Sequence, residues 1–141
     1  MKKLIPMINE AGTHDTGKVT RLCDAALADN VFVKAGSDDN HVAVTTAATE
    51  CPIGLARHAT DAAENPVTVE LPGGSPGTKL AVAGEAIAVN DRICCGAAGA
   101  AFKLPAVGGT YYVCGRAITA QATAGQLFEF EGCVPYPVVV T

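Results

Sequence analysis

The sequence predicts an all-β fold: a small barrel or sandwich built from two repeated β-meander halves. An extended N-terminal arm over residues 1–20 precedes the barrel, which takes residues 21–141. Three observations predict it. Apolar residues recur in short alternating runs bounded by Gly, Pro, Asn and Asp, as strands with tight connections do. No stretch long enough for a helix carries an apolar stripe of period 3.6. The third is an internal repeat: sliding the chain by 61 residues sets Gly54 on Gly115, Ala56 on Ala117, Glu70 on Glu131, and Val67 and Val69 on Phe128 and Phe130.

In order along the chain, Val31-Phe32-Val33 follows the turn formers Asp29-Asn30, and Val42-Ala43-Val44 follows Asn40-His41. Val67-Thr68-Val69-Glu70-Leu71 follows Asn65-Pro66, and its strict alternation is that of a half-buried strand. The run Leu71-Pro72-Gly73-Gly74-Ser75-Pro76-Gly77 is a loop on composition alone. Leu80-Ala81-Val82 and Leu127-Phe128-Glu129-Phe130 are the matching strands of the second half. Each half therefore holds a turn, a strand, a turn, a strand, a Gly-containing strand, an Ala-rich link and an alternating strand. Two such meanders closing on each other would make one small barrel or sandwich. Residues 1–20 lie outside the repeat, and Pro6, Gly12 and Gly17 interrupt any regular element there.

Composition bounds the function. A chain of 141 residues can bury one core, but with 4 Phe, 3 Tyr and no Trp that core must come from Val, Ile, Leu and small residues. Part of its stability is therefore expected from oligomerisation. The net charge of −4 and the absence of a basic stripe argue against nucleic acid and anionic membranes as partners. No apolar run reaches the roughly 18 residues of a membrane span. The start, MKKLIPMINEAG, lacks the longer apolar region of a signal peptide, so a protein made in a cytoplasm is expected. In that setting the 6 cysteines are read as free thiols in strand positions, although an even count leaves disulfides open.

No residue pattern indicates catalysis, a metal or a cofactor. His14 and Asp15 are neighbours in an extended stretch and point to opposite sides. His41 and His58 stand singly near expected strand ends, where surface or interface roles suffice. Asp38-Asp39-Asn40 lacks the alternating oxygen ligands of a calcium loop and fits a hairpin turn. Neither the cysteines nor the histidines have zinc-ligand spacing, and there is no nucleophile elbow or phosphate loop. The stretch Gly84-Glu85-Ala86-Ile87-Ala88-Val89-Asn90-Asp91 is similar to the turn-then-strand pattern of biotinyl or lipoyl carrier barrels. Their acceptor lysine sits at a hairpin tip, which Gly77-Thr78-Lys79-Leu80 does not match.

Three stretches resemble the small decoration (cement) proteins of tailed-phage heads. They are Pro52-Ile53-Gly54-Leu55-Ala56 with Ala62-Ala63-Glu64-Asn65-Pro66-Val67-Thr68-Val69-Glu70-Leu71, then residues 83–91, then Val113-Cys114-Gly115-Arg116-Ala117 with Ala124-Gly125-Gln126-Leu127-Phe128-Glu129-Phe130. Asn90 in place of Gly, the cysteines and the extension over residues 133–141 depart from the family pattern. The resemblance implies a non-enzymatic virion protein on the outer capsid surface, assembling as a homotrimer at three-fold and quasi-three-fold positions and bridging the major capsid protein. A tail or fibre component is the alternative within the same class. Lys2, Lys3, Leu4, Ile5, Pro6, Met7 and Ile8 are the expected capsid-binding residues, because this compact apolar group has no place in a barrel made of two equal halves.

Overall fold

The computed structural model describes residues 16–141. The first half contributes β1 (Lys18–Cys23), β2 (Phe32–Ala35), β3 (His41–Val44), β4 (Gly54–Ala56) and β5 (Pro66–Glu70). The second contributes β6 (Thr78–Val82), β7 (Arg92–Cys95), β8 (Ala101–Lys103), β9 (Gly109–Ala117) and β10 (Leu127–Val140). A single 3-10 turn, Ala97–Gly99, is the only helical element among the described residues. The first five strands form a closed barrel in the order β1-β3-β2-β4-β5, and the second five a sheet in the order β6-β10-β9-β7-β8.

The fold is all-β and duplicated, and its repeat is visible in the backbone. Isolated bridges join Leu27 to Thr60 in one half and Ile87 to Gln121 in the other. Asn30 and Asn90 both adopt left-handed backbone, φ 56° and 71°, and their N–H groups donate to the Ala56 and Ala117 carbonyls. Asparagine tolerates that conformation better than most residues. A Cβ at Gly54 would lie 2.3 Å from the Glu70 carbonyl oxygen, and one at Gly115 would lie 2.2 Å from that of Glu131. The repeated glycine is thus required by a close strand crossing that both halves share.

Three details differ from the sequence expectation. The halves do not close on each other: β1 pairs antiparallel with β5 and parallel with β3, Cys23 opposite Val42, so the first half closes on itself. Gapless sliding also misplaces the early strands by one residue. Val33 pairs with Gly54 as Ile93 pairs with Gly115, so Val33 corresponds to Ile93 and Phe32 to Arg92. The barrel also begins earlier than residue 21. Val19 and Cys23 are buried in its core, and polar Lys18, Thr20 and Arg21 between them masked the alternation.

In the second half the closure is incomplete, because β6 and β8 meet at one parallel bridge, Ala83–Ala101. The first barrel covers the remaining seam. Val33 points into its own barrel, so Phe32 and its cross-strand partner Leu55 point outward. Both are fully buried in the second core, where Phe32 meets Phe130 at a ring-centroid distance of 5.9 Å. The free edge of β6 is satisfied from the same side: Val82 N–H donates to the Asn30 carbonyl at 3.2 Å. In the closed barrel the equivalent Leu22 N–H donates to Asn40 at 2.8 Å, so the first barrel stands in for the strand end that the second lacks. Thr45 is fully buried at this joint, donating to the Gly96 carbonyl at 2.9 Å and accepting from Gly99 N–H at 3.0 Å. Leaving such groups unpaired would cost about 1–3 kcal/mol each.

Truncating Phe32→Ala removes the largest side chain of the joint. Urea unfolding is expected to show a loss of about 3–5 kcal/mol. A loss under about 1 kcal/mol would mean that the joint does not hold the halves together.

Candidate interaction surface

The residues expected to bind a partner, Lys2, Lys3, Leu4, Ile5, Pro6, Met7 and Ile8, lie outside the described residues, as does His14-Asp15. The place where that segment joins the barrel is well defined. Gly17 has left-handed backbone, φ 66°, and its carbonyl accepts from Leu71 N–H at 2.9 Å. A Cβ there would lie 2.2 Å from the Gly74 carbonyl carbon, so only glycine fits against the loop over residues 71–77. That loop is pinned from beneath by two buried charged residues. Glu70 binds Arg57 Nε at 2.8 Å and accepts from Ser75 Oγ at 2.7 Å. Lys79 Nζ donates to the Ser75 and Gly77 carbonyls, each at 3.1 Å. Lys79 is only 2% exposed, so it is a structural lysine and not an accessible attachment point for a carrier cofactor.

The loop also abuts a bulge in β10. A Cβ at Gly132 would lie 2.3 Å from the Pro72 carbonyl oxygen, and one at Gly73 would lie 2.4 Å from Val134 N. The register of β9 and β10 shifts between Gly132 and Tyr136. Beyond this bulge the two strands continue as a ribbon, with Tyr136 opposite Val113 and Val140 opposite Gly109. One face of the ribbon packs Tyr111, Val113, Val138 and Val140 around Cys94. Elsewhere on it Val134 and Val139 are 72% and 70% exposed, with Val107 at 73% before the ribbon. Among the described residues, β10 past the bulge has β9 as its single strand neighbour. The root of the N-terminal segment, an apolar ribbon and an unpaired strand edge therefore meet at one corner. Edges of this kind are where extended peptides add. Residues 133–141, which depart from the family pattern, continue β10 as far as Val140; the alternation Val134, Tyr136, Val138, Val140 is their strand signal, interrupted by Pro135 and Pro137.

At the other end of the first barrel, His41 joins two acidic residues. Its Nδ1 lies 2.5 Å from Asp38 Oδ1 and its Nε2 lies 3.0 Å from Glu64 Oε1. Asp38 also accepts from Asn40 N–H at 2.8 Å, closing the turn within Asp38-Asp39-Asn40. The hydrogen bond to Asp38 raises the His41 pKa above its ordinary 6.5, and the same bond lowers that of Asp38 below 3.8. A raised histidine stabilises the fold most below 6.5 and loses that contribution as pH rises through its folded value; the lowered Asp38 contributes above 3.8. Thermal melting should therefore show the His41 contribution between about pH 4 and 6.5 and its decline above, and His41→Gln should flatten that decline. An unchanged pH profile in the variant would refute the assignment. His58 makes a separate contact, its Nε2 at 3.1 Å from the Pro66 carbonyl.

All 6 cysteines are free, and Cys23, Cys94, Cys95 and Cys114 are buried. Burial raises the thiol of Cys94 to about 12 and that of Cys95 to about 11, and pushes Cys114 well above the ordinary value. Little thiolate is then present for reaction. A thiol reagent at neutral pH should modify exposed Cys51 first and Cys133 more slowly, and reach the four buried thiols only in denaturant. Rapid modification of Cys94 or Cys114 in the native protein would contradict the packing. Among the described residues no group of three His, Cys, Asp or Glu side chains is arranged to hold a metal ion.

No protein-family model matches the sequence, and no curated protein matches it. The fold does match a solved structure. The N base of head fiber gp8.5 of bacteriophage phi29 superposes with a TM-score of 0.63, over 82% of this chain and 92% of that one, at 19% identity. At that identity the likeness establishes a shared fold.

Proposed function

We propose that this chain is a structural component of a phage head, seated on the outside of the shell and bound to the major capsid protein. Its fold, shared with the base of a phage head fiber over most of both chains, carries the reading. The resemblance of residues 52–71, 83–91 and 113–130 to head decoration proteins points the same way. As a cement protein it would form homotrimers at three-fold and quasi-three-fold positions and stabilise the lattice by bridging capsid subunits, without catalysis. Repetition over a closed shell multiplies a small energy per site, and a symmetric interface would supply contacts that a core poor in aromatics lacks. A fibre base on the head is the second reading, favoured by the neighbour being such a base. Electron microscopy of particles separates the two: compact knobs support cement, and projecting fibres support a base.

The anchor in this proposal is the segment Lys2, Lys3, Leu4, Ile5, Pro6, Met7 and Ile8; further along the chain, Gly17 enters the barrel against the loop over residues 71–77 that abuts the β10 bulge. Deleting residues 2–12 should leave a soluble protein with an unchanged oligomeric state that no longer sediments with shells. Truncated protein that decorates shells at full occupancy would show that the anchor lies elsewhere. Loss of the oligomer would show that the segment clasps a neighbouring copy.

A further inference from the structure

The repeat supplies an internal precedent for how one face of this fold is used. On the first barrel, Phe32 and Leu55 stand opposite each other on β2 and β4 and form the docking plug that enters the second half. At the equivalent position of the second half, β7 and β9 carry Arg92 opposite Arg116. Both arginines are exposed. They border a groove of about 410 Å³ lined by Arg92, Val113, Arg116, Glu131, Cys133 and Tyr136. Arg116 is held in place, with Nε 2.9 Å from Glu131 Oε2 and one terminal nitrogen 3.3 Å from Asn90 Oδ1. The guanidinium of Arg92 has no ion-pair partner among the described residues. Lys103, on β8 opposite Ile93, adds a third cation on the other side of Arg92. Asp91 borders the same surface as Lys103, and Glu131 is engaged by Arg116, so the groove itself carries a surplus of one positive charge on a chain of net charge −4.

The substitution changes what the face can accept. Two cross-strand guanidiniums repel an apolar core and present planar donor forks that match carboxylates. Tyr136, 43% exposed at the rim, supplies an apolar flank that would shield such a contact from water. We propose that this groove docks a carboxylate-bearing loop of the major capsid protein, Arg92 taking the acidic group and Arg116 orienting it; this rests on the head-component reading above. The groove and the N-terminal segment then act as separate contacts, the first setting orientation and salt dependence.

The test is co-sedimentation of the full chain with purified empty shells over a range of salt concentrations. Arg92→Glu should weaken binding about tenfold or more and flatten its salt dependence. Because Arg92 has no ion-pair partner among the described residues, the urea midpoint of the variant should match that of the parent. The control, Ala59→Glu with Ala63→Glu on exposed positions of the first barrel, makes the same change in net charge and should bind as the parent does. Parent protein that binds shells alongside an Arg92→Glu variant that binds equally well would overturn the groove alone. Parent protein that never sediments with shells would overturn the head-component reading and the groove with it. If Arg92→Glu splits the free protein into smaller species and leaves shell binding unchanged, the groove joins copies of this chain and the proposal falls.

Discussion

The structure depends on the incomplete closure of its second half. A five-stranded sheet whose end strands meet at one bridge, Ala83–Ala101, leaves backbone donors and an apolar interior open along a seam. An open apolar interior would lose its burial, and an unpaired edge beside it would invite association. The first barrel closes both openings. Phe32 and Leu55 fill the interior, and the Asn30 carbonyl takes the Val82 N–H. The halves are therefore unequal partners: the first is complete by its own pairing, whereas the second is completed by the first.

That inequality explains where the aromatics sit. At repeat-related positions the first barrel has Val67 and Val69 where the second has Phe128 and Phe130, and all four are buried. A narrow closed barrel fills with valine. The interior of the second half, entered from outside by Phe32, carries phenylalanine balanced by small neighbours: Ala83 where the first barrel has Cys23, and Ala101 where it has Val42. Large and small residues trade places so that the packed volume is kept. The remaining phenylalanine, Phe102, lies against Gly84 and Gly96, where a Cβ would come within 2.3 and 2.2 Å of its ring.

Much of this was legible in the sequence, and the missing parts have definite causes. Turn residues and alternating runs located β2, β3, β5 and β10, and the 61-residue offset found Gly54 with Gly115 and Glu70 with Glu131 because β4 and β5 keep that spacing. One residue fewer in the earlier spacing hid the pairing of Phe32 with Arg92, which is the informative difference between the halves. Closure was not legible either, because a parallel contact such as Cys23 with Val42 leaves no local signature. The groove went unseen for a related reason. Arg92 and Arg116 lie far apart in the chain and become neighbours only through the β7–β9 register.

The repeat also sets the two units apart at the face by which one docks on the other. In stacked repeats each unit buries an apolar face on the next, and terminal units need a different outer face to stay soluble. Here the first barrel needs no plug, because Leu22 and Cys23 pair with His41 and Val42 across its seam. The second barrel offers no plug, because Arg92 and Arg116 replace Phe32 and Leu55. Charge on this face serves solubility by itself, but solubility does not require a guanidinium held by Glu131 and Asn90 beside one without an ion-pair partner among the described residues. Nor does it explain why Val134 and Val139 remain exposed on the neighbouring ribbon. A held cation, a second cation without an ion-pair partner among the described residues and an adjacent apolar edge together fit the proposed docking role, in which charge would set orientation and buried apolar area supply affinity.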